Sequence, residues 1–360
     1  MKKRIGILTG GGDAPGLNAV IRAVVLTATR CYDWDVLGIR NGFDGLYAGT
    51  PAIPLGAEDV SDLLAQGGTI LGAANRGSPF AQRVRQPDGS EKVVDVSHEA
   101  ISRIADRELH ALIVAGGDGT MAIAHRLACL GAPIVGVPKT IDNDISETDV
   151  TFGFNTAIQT ATEALDKLRT TAESHHRIMV LELMGRHAGW IALKAGVAGG
   201  ADAILIPEIP FRIDVVSEKI RQLQAEGRRY SLVVVAEGAA PVGGDQMYYI
   251  EGRNGSEGRL GGMGHRVGNL LADRIEAEVR VTVLGHLQRG GRPSPRDRWL
   301  ATRFGTAATH LVAKQRWGHM VALQGTGIVT IPLSRALCMK RVDPCGDMVR
   351  MARDLGTVFG

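Results

Sequence analysis

The sequence predicts an α/β fold of two lobes, each a mainly parallel sheet sandwiched by helices, with the active site in the cleft between them. Three observations predict it. Short apolar runs alternate with segments of helical spacing along most of the chain, the signature of β-α-β units and parallel sheets. Glycine-rich turns follow several of those runs at once; glycine reaches 47 of 360 residues with no Gly-X-Y period, so the excess belongs to turns and to loops where backbone meets ligand. At 360 residues there is room for two domains, each with its own core.

In chain order, Arg4 to Thr9 reads as a first strand, Gly10 to Gly16 as a turn and Leu17 to Thr29 as a helix. Strand, glycine turn and helix in that order set backbone N–H groups and a helix N-terminus against a phosphate. Neither GxGxxG nor Walker A is matched, because Asp13-Ala14-Pro15 fills the wrong positions and no Gly-Lys-Ser/Thr closes the loop. Asp35 to Ile39 is a second strand, and Gly67 to Gly72 leads to Arg76. Ser97 to Glu108 is a helix, and Ala111 to Ala115 is a strand ending in Gly116-Gly117-Asp118-Gly119-Thr120, with a helix from Met121 to Leu130.

The densest chemistry follows. Ala132 to Val137 is a strand, Pro138 breaks it, and Lys139-Thr140-Ile141-Asp142-Asn143-Asp144 comes next. In an extended backbone Thr140, Asp142 and Asp144 share a face. Two carboxylates, a hydroxyl and an ammonium at a strand end are costly as plain core, and strand ends of open α/β sheets are where ligands bind. A polar loop with Asp and Asn capping neighbouring turns is the plain alternative. The two Gly-Gly-Asp turns and this run give three strand-end loops that can converge on one crevice.

From Phe152 the pattern restarts. Asn155 to Arg169 is helical; Ile178 to Leu183, Ala203 to Ile206, Leu232 to Ala236 and Val279 to Leu284 are strands. Helices are expected from Met184-Gly185-Arg186 toward Val197, over Val215 to Ala225, around His265 to Ile275 and from Pro295. Arg177, Arg186, Arg280, His286 and Arg289 lie at or beside strand ends. One arginine there is ordinary surface; several suggest an anion gripped bidentately. Glu237, also at a strand end, is either a sugar-hydroxyl acceptor or an N-cap, and His125 and His310 read as structural histidines.

Composition narrows the classes. A net charge of +3 implies no polyanion partner, and 4% aromatics argue against stacking platforms for single-stranded nucleic acid. The four cysteines, Cys31, Cys129, Cys338 and Cys345, have no metal-ligand spacing and read as reduced cytoplasmic thiols. The apolar run after Met1-Lys2-Lys3-Arg4 is too short for a secretory leader, and no segment approaches a membrane span. A cytoplasmic location follows, with no membrane or nucleic-acid partner.

Gly11-Gly12-Asp13-Ala14-Pro15-Gly16-Leu17-Asn18, Gly116 to Thr120, Thr140 to Asp144, Met184 to Arg186 and Gly285 to Gly291, present together and in order, resemble the 6-phosphofructokinase family up to about Arg303. The resemblance implies phosphoryl transfer to O1 of fructose 6-phosphate, with Mg²⁺ and ATP, as the first committed step of glycolysis. It implies a general base at Asp142, with Thr140 and Asp144 orienting groups beside it. Asp118 is implied as the Mg²⁺-associated carboxylate, and Gly11, Arg76, Gly117, Gly119, Thr120 and Lys139 as further ATP-side residues. Met184, Gly185, Arg186 and Glu237 are implied as the sugar site, and Arg177, Arg280, His286 and Arg289 as the 6-phosphate site. Arg177 and Arg280 are expected from a neighbouring subunit, hence a homotetramer or homodimer with shared active sites.

The implied lobes are 1–152 plus about 293–340 for the donor and Mg²⁺, and 153–292 plus about 341–360 for the sugar phosphate. The donor pattern is mixed. Pyrophosphate users in this family carry Asp after Gly-Gly-Asp and Lys before Thr-Ile-Asp-Asn-Asp; this chain has Gly119 and Lys139. An Asp at 119 would bring bulk and negative charge against the α-phosphate of ATP, so Gly119 favours ATP, with a pyrophosphate-dependent phosphotransferase as the alternative. For an allosteric site, Arg22 is present, Leu26 replaces a second Arg, and Asp202, Arg228 and Arg229 are available. A dinucleotide oxidoreductase, a lipid or nucleotide kinase and a silent regulatory subunit are the rival classes, disfavoured respectively by the missing GxGxxG, the arginine set and intact Asp118, Asp142 and Arg186.

Overall fold

Alternating strands and helices dominate the computed structural model, which describes residues 2–74, 77–86, 89–250 and 258–360. The chain runs β1 (Arg4–Thr9), α1 (Leu17–Tyr32), β2 (Asp35–Ile39), α2 (Asp44–Tyr47), β3 (Ile53–Leu55), β4 (Gln82–Arg85), β5 (Glu91–Val94), α3 (Ser97–Asp106), β6 (Leu109–Gly116), α4 (Asp118–Cys129), β7 (Ile134–Thr140) and β8 (Phe152–Gly153). It continues through α5 (Phe154–His175), β9 (Ile178–Leu183), α6 (Trp190–Ala198), β10 (Ala203–Leu205), α7 (Ile213–Ala225), β11 (Ser231–Ala236), β12 (Tyr248–Ile250), β13 (Arg259–Leu260), α8 (Met263–Ala272) and β14 (Val279–Val283). The last elements are α9 (Pro295–Ala313), β15 (His319–Gln324), β16 (Gly327–Pro332) and α10 (Asp347–Asp354). Contacts divide the chain into two discontinuous units: Met1–Ile141, Ile145–Asn155 and Arg289–Met339 form the first, and Asp142–Asp144, Thr156–Gln288 and Lys340–Gly360 the second.

The first unit is built on an eight-stranded sheet in the order β16-β15-β7-β6-β1-β2-β3, with β8 paired to β7. Pairings β7-β6-β1-β2 and β15-β7 are parallel, while β3 and β16 run antiparallel at the two edges. From β1 the chain moves to β2 on one side and later returns to β6 on the other. The order therefore reverses between β1 and β6, and such a switch point leaves a crevice beyond the strand ends. Ile5, Ile7 and Leu8 of β1 and Leu112 to Val114 of β6 are wholly buried, as sheets covered on both faces require. α9 begins at Pro295, with Ser294 Oγ accepting the Asp297 N–H at 3.2 Å, so proline sits where a helix needs no donor.

The second unit carries a four-stranded parallel sheet, β10-β11-β9-β14. Its core joins Val180, Val233 and Leu205 from the sheet to Val216, Ile220, Val267 and Leu271 from α7 and α8. The open edge of β10 is closed by the chain end: Ile204 N donates to Val358 O (2.9 Å), and Val358 N to Asp202 O (3.0 Å).

Several sequence expectations need correction. Pro138 does not break its strand: β7 continues to Thr140, with Pro138 aligned to Gly116. The ladder with β15 covers only Val135 and Gly136, so a missing N–H at 138 orphans nothing there. Beyond Thr140 the backbone is not extended. Asn143 has φ 54°, a left-handed conformation asparagine tolerates, and the shared-face argument for Thr140, Asp142 and Asp144 fails. α4 starts at Asp118, not Met121, because extended Gly117 serves as its N-cap. α5 runs on to His175, beyond the expected Arg169, and α8 occupies Met263–Ala272. The hairpins β4–β5 and β15–β16 were not read from sequence, although Gln86-Pro87-Asp88-Gly89-Ser90 between the first pair is a turn signature.

Near the start of β6, His110 packs edge-on to Trp34 (6.1 Å) and Trp317 (5.6 Å), and its Nε2 lies 3.4 Å from Lys3 Nζ. Burial, then the Lys3 charge, lowers the imidazole pKa below its ordinary value of 6.5. The folded state therefore binds a proton less readily than the unfolded chain, so this contribution is full above about pH 6.5 and is lost as pH falls below it. Urea midpoints should drop between about pH 6.5 and 5 in the wild type, and His110→Gln should flatten that part of the profile.

Candidate active site

Adjacent strands β1, β6 and β7 deliver Gly10–Gly12, Gly117–Thr120 and Thr140, so the three loops expected to converge emerge side by side in one sheet. Thr120, 6% exposed, fills the space between them. A Cβ at Gly10 would lie 2.7 Å from Thr120 Cγ2, and one at Gly116 would lie 2.3 Å from Thr120 Cβ; neither position accepts a side chain. Gly11 has φ 73°, and a Cβ there would sit 3.4 Å from Thr120 Oγ1 and 3.7 Å from Lys139 Nζ. Lys139 is 2% exposed and donates from its ammonium to the Gly12 carbonyl. Glycine loop, hydroxyl and ammonium thus meet in one place.

Asp118 and Gly119 occupy the exposed first turn of α4. An acidic group there faces the positive end of the helix dipole. A Cβ at Gly119 would meet nothing within 4 Å. Among the described residues no three His, Cys, Asp or Glu side chains are grouped to hold a metal. A single exposed carboxylate is what a hard, mostly hydrated Mg²⁺ accompanying phosphate oxygens would use, so Asp118 fits such an ion. Thr140 is buried, and its carbonyl accepts from Thr151 Oγ1 at 2.8 Å.

Arg76 lies outside the described residues, but the chain leading to it is fixed: Gly11 N donates to Ala74 O at 3.2 Å. Asn18 does much of the fixing and had no assigned role in sequence. It is 1% exposed; its Nδ2 donates to Gln66 O (3.3 Å) and Gly67 O (3.1 Å), and its Oδ1 accepts from Ile70 N (2.9 Å). Thr9 Oγ1 adds a bond to Gly72 O at 2.9 Å. Arg289 falls in the same unit, where its Nη1 donates to Asp13 O at 3.2 Å.

In the second unit, neighbouring strands β9 and β11 end together. Gly238 N donates to Gly185 O (3.1 Å), and a Cβ at Gly238 would lie 2.0 Å from Arg186 O. That close approach brings Met184, Gly185, Arg186 and Glu237 to one end of the sheet. Arg186 Nη2 donates to Gly258 O at 2.9 Å. Glu182, an acid inside the apolar run of β9, was overlooked in sequence although its charge is the signal. It is 2% exposed, and its two oxygens accept from Gly262 N (3.1 Å) and Gly264 N (2.6 Å) at the start of α8, anchoring the segment that reaches Arg186.

The arginines do not form one cluster within a chain. Arg177 precedes β9 and Arg280 is the second residue of β14, so both lie at the starts of parallel strands, where each pairs with Glu278. These two arginines hold the Glu278 carboxyl below its usual pKa. Met184 follows the opposite end of β9, seven residues on, or roughly 23 Å at strand rise. His286 also follows a strand end, in a 3-10 turn (Gly285–Gln288), and is exposed. Within one chain, Arg177 and Arg280 therefore lie at the other end of these parallel strands from Met184 and Arg186.

A family model described as phosphofructokinase matches residues 4–312. The chain is 55% identical over 360 residues to a protein of Chloroflexus aggregans named ATP-dependent 6-phosphofructokinase, covering 100% of this chain and 98% of that one. It is 48% identical over 344 residues to the pyrophosphate–fructose 6-phosphate 1-phosphotransferase of Amycolatopsis methanolica, covering 95% and 96%. Among solved structures, phosphofructokinase from Saccharomyces cerevisiae aligns with a TM-score of 0.77 at 33% identity, over 93% of this chain and 45% of that one.

The Asn18 bonds predict that Asn18→Ala, which leaves buried partners without a hydrogen bond, lowers unfolding free energy by about 2–3 kcal/mol in urea titration.

Proposed function

The chain belongs to the phosphofructokinase family, and on that premise we propose that it transfers the γ-phosphoryl group of ATP to O1 of fructose 6-phosphate, giving fructose 1,6-bisphosphate and ADP. The observation that carries the reading is the adjacency of β6 and β7: one ends at Gly116, two residues before Asp118 at the start of α4, the next at Thr140, with Asp142 two residues on. Asp142 takes the proton of the 1-hydroxyl as O1 forms its bond to phosphorus and the bond to the leaving ADP oxygen breaks. Thr140 and Asp144 orient the groups around it. Gly11, Gly117, Gly119, Thr120 and Lys139, with Arg76, receive the nucleotide phosphates, where preorganised N–H groups and cations stabilise spreading charge. Asp118 would hold Mg²⁺, which neutralises phosphate charge when bound. Met184, Gly185, Arg186 and Glu237 take the sugar, and His286 and Arg289 its 6-phosphate.

The position of Arg177 and Arg280, at the strand ends away from Met184 and Arg186, supports their service in a neighbouring subunit. A homo-oligomer, tetramer or dimer, with shared sites is the form we propose. In the allosteric region, Asp202 is engaged by Arg228 and by Leu232 N (2.9 Å), and Leu26 contributes no charge, which favours a weak effector response. No helix among the described residues is long and apolar enough to cross a membrane, and we place the enzyme in the cytoplasm.

The pyrophosphate reading retains two supports, Lys139 before the Thr-Ile-Asp-Asn-Asp run and the homology to a pyrophosphate-dependent relative. Open space at Gly119 and the greater identity to an ATP-dependent relative favour ATP. Offering both donors with Mg²⁺ and fructose 6-phosphate tests this; turnover with pyrophosphate alone refutes it. Asp142→Ser should cut kcat at least about 10²-fold while fructose 6-phosphate still binds by calorimetry, and near-normal turnover would remove Asp142 from the base role. Gly119→Asp should fold normally and lower kcat/KM for ATP by about tenfold or more, since a carboxylate then faces nucleotide phosphate.

A further inference from the structure

The tail after about Ile331 had no contacts assigned from sequence, and the structure ties part of it to the Asp142–Asp144 run. Lys340 N donates to Asp144 O at 2.7 Å. The same residue's carbonyl accepts from Trp190 Nε1 at 3.0 Å. Two residues on, Val342 N donates to Glu208 Oε1 at 2.9 Å. Glu208 is itself fixed, taking the Gly189 N–H on Oε1 (3.0 Å) and Oε2 (3.1 Å) at the N-cap of α6, whose first residue is Trp190. Val342 is 3% exposed, and the Lys340 ammonium lies 5.8 Å over the Trp190 ring. The segment is thus held at three backbone points within three residues, and one of them passes the restraint to Asp144.

We propose that Lys340–Val342 is a strap that positions the Asp142–Asp144 run for catalysis, and that Trp190 is the positioning residue that holds the strap. This rests on the reading of Asp142 as the base. The need for a strap comes from the backbone itself. Asn143 is left-handed and β7 ends at Thr140, so the run leaves the regular ladder. The Lys340 N bond to Asp144 O, next to the Ile145–Met339 bridge, ties the tail to the run directly beside the left-handed residue. A misplacement of about 1 Å in a positioned group can cost about 10²-fold in rate, so even partial loosening is measurable.

Trp190→Phe isolates the effect, because it keeps an aromatic ring under Lys340 and removes only the indole N–H donor and part of the ring. Steady-state kinetics with ATP and fructose 6-phosphate should show kcat reduced about tenfold, with both KM values within about twofold of wild type and the thermal midpoint nearly unchanged. Hydrogen exchange should quicken in peptides covering Lys340–Val342 and also in those covering Asp142–Asp144. Unchanged kcat overturns the strap. So does a rise in the KM for fructose 6-phosphate with kcat intact, which would locate the effect in the neighbouring Arg186 loop, and so does faster exchange confined to Lys340–Val342. If the variant does not fold, exchange in the wild type decides: a protected Lys340 amide is expected, and one exchanging at the rate of unstructured peptide overturns the proposal. Wild-type turnover is measured in parallel. An inactive wild type rejects the reading of the reaction, whereas an active wild type with unaltered Trp190→Phe kinetics rejects the strap alone.

Discussion

A single threonine methyl and hydroxyl, packed against bare backbone, is the contact on which the donor side depends. Thr120 occupies the volume that side chains at Gly10 and Gly116 would need. Strands β1 and β6 can therefore end close together at the point where sheet order reverses, with Gly10 N donating to Ala115 O at 2.9 Å across the gap. Lys139 completes the arrangement from the next strand. Its ammonium is buried, a costly state unless oxygen atoms surround it, and the Gly12 carbonyl supplies one such oxygen. The same feature orients the glycine loop, so positive charge and loop geometry are set together.

Much of this was legible in the residues. β1, β2 and β9 have the boundaries that apolar periodicity gives, and α9 begins at the proline that marks it. Glycine pairs after apolar runs located the strand-end loops. What failed had physical causes. Pro138 reads as a terminator, yet a neighbouring ladder that has already stopped demands no donor from it. The alternation rule for Thr140, Asp142 and Asp144 presumes an extended chain, and a left-handed Asn143 cancels it. Sequence shows that a residue is near a strand end without showing which end, so the separation of Arg177 and Arg280 from Arg186 along β9 and β14 became visible only in the structure. The tail contacts are long-range and no local pattern encodes them, whereas the β15–β16 hairpin closes locally through Gly325-Thr326 and was overlooked.

The second unit uses a different economy of charge. Glu182 and Glu208 are carboxylates set against helix starts, the first at α8 and the second at α6. Each accepts backbone N–H groups that a helix leaves without internal partners. Each also fixes a loop that leads toward Arg186 or Asp144. Charged groups outside the proposed chemistry thus serve to shape the backbone beside it, and a carboxylate deep in an apolar run is better taken as a structural anchor first than as a catalyst.

Both units are discontinuous in sequence, and this has a consequence for biosynthesis. The ribosome makes Asp142 long before Lys340, and β10 long before Val358, which closes its edge. Neither half can finish its own sheet or fix its own loops while the nascent chain is still emerging, because each waits for a segment made after its partner half. Domains that fold as units during synthesis usually mature from the N-terminus onward. Here both units wait for segments made after Arg289, and a message cut short near codon 339 would yield a chain that lacks the Lys340 bond to Asp144 and the Val358 cover of β10.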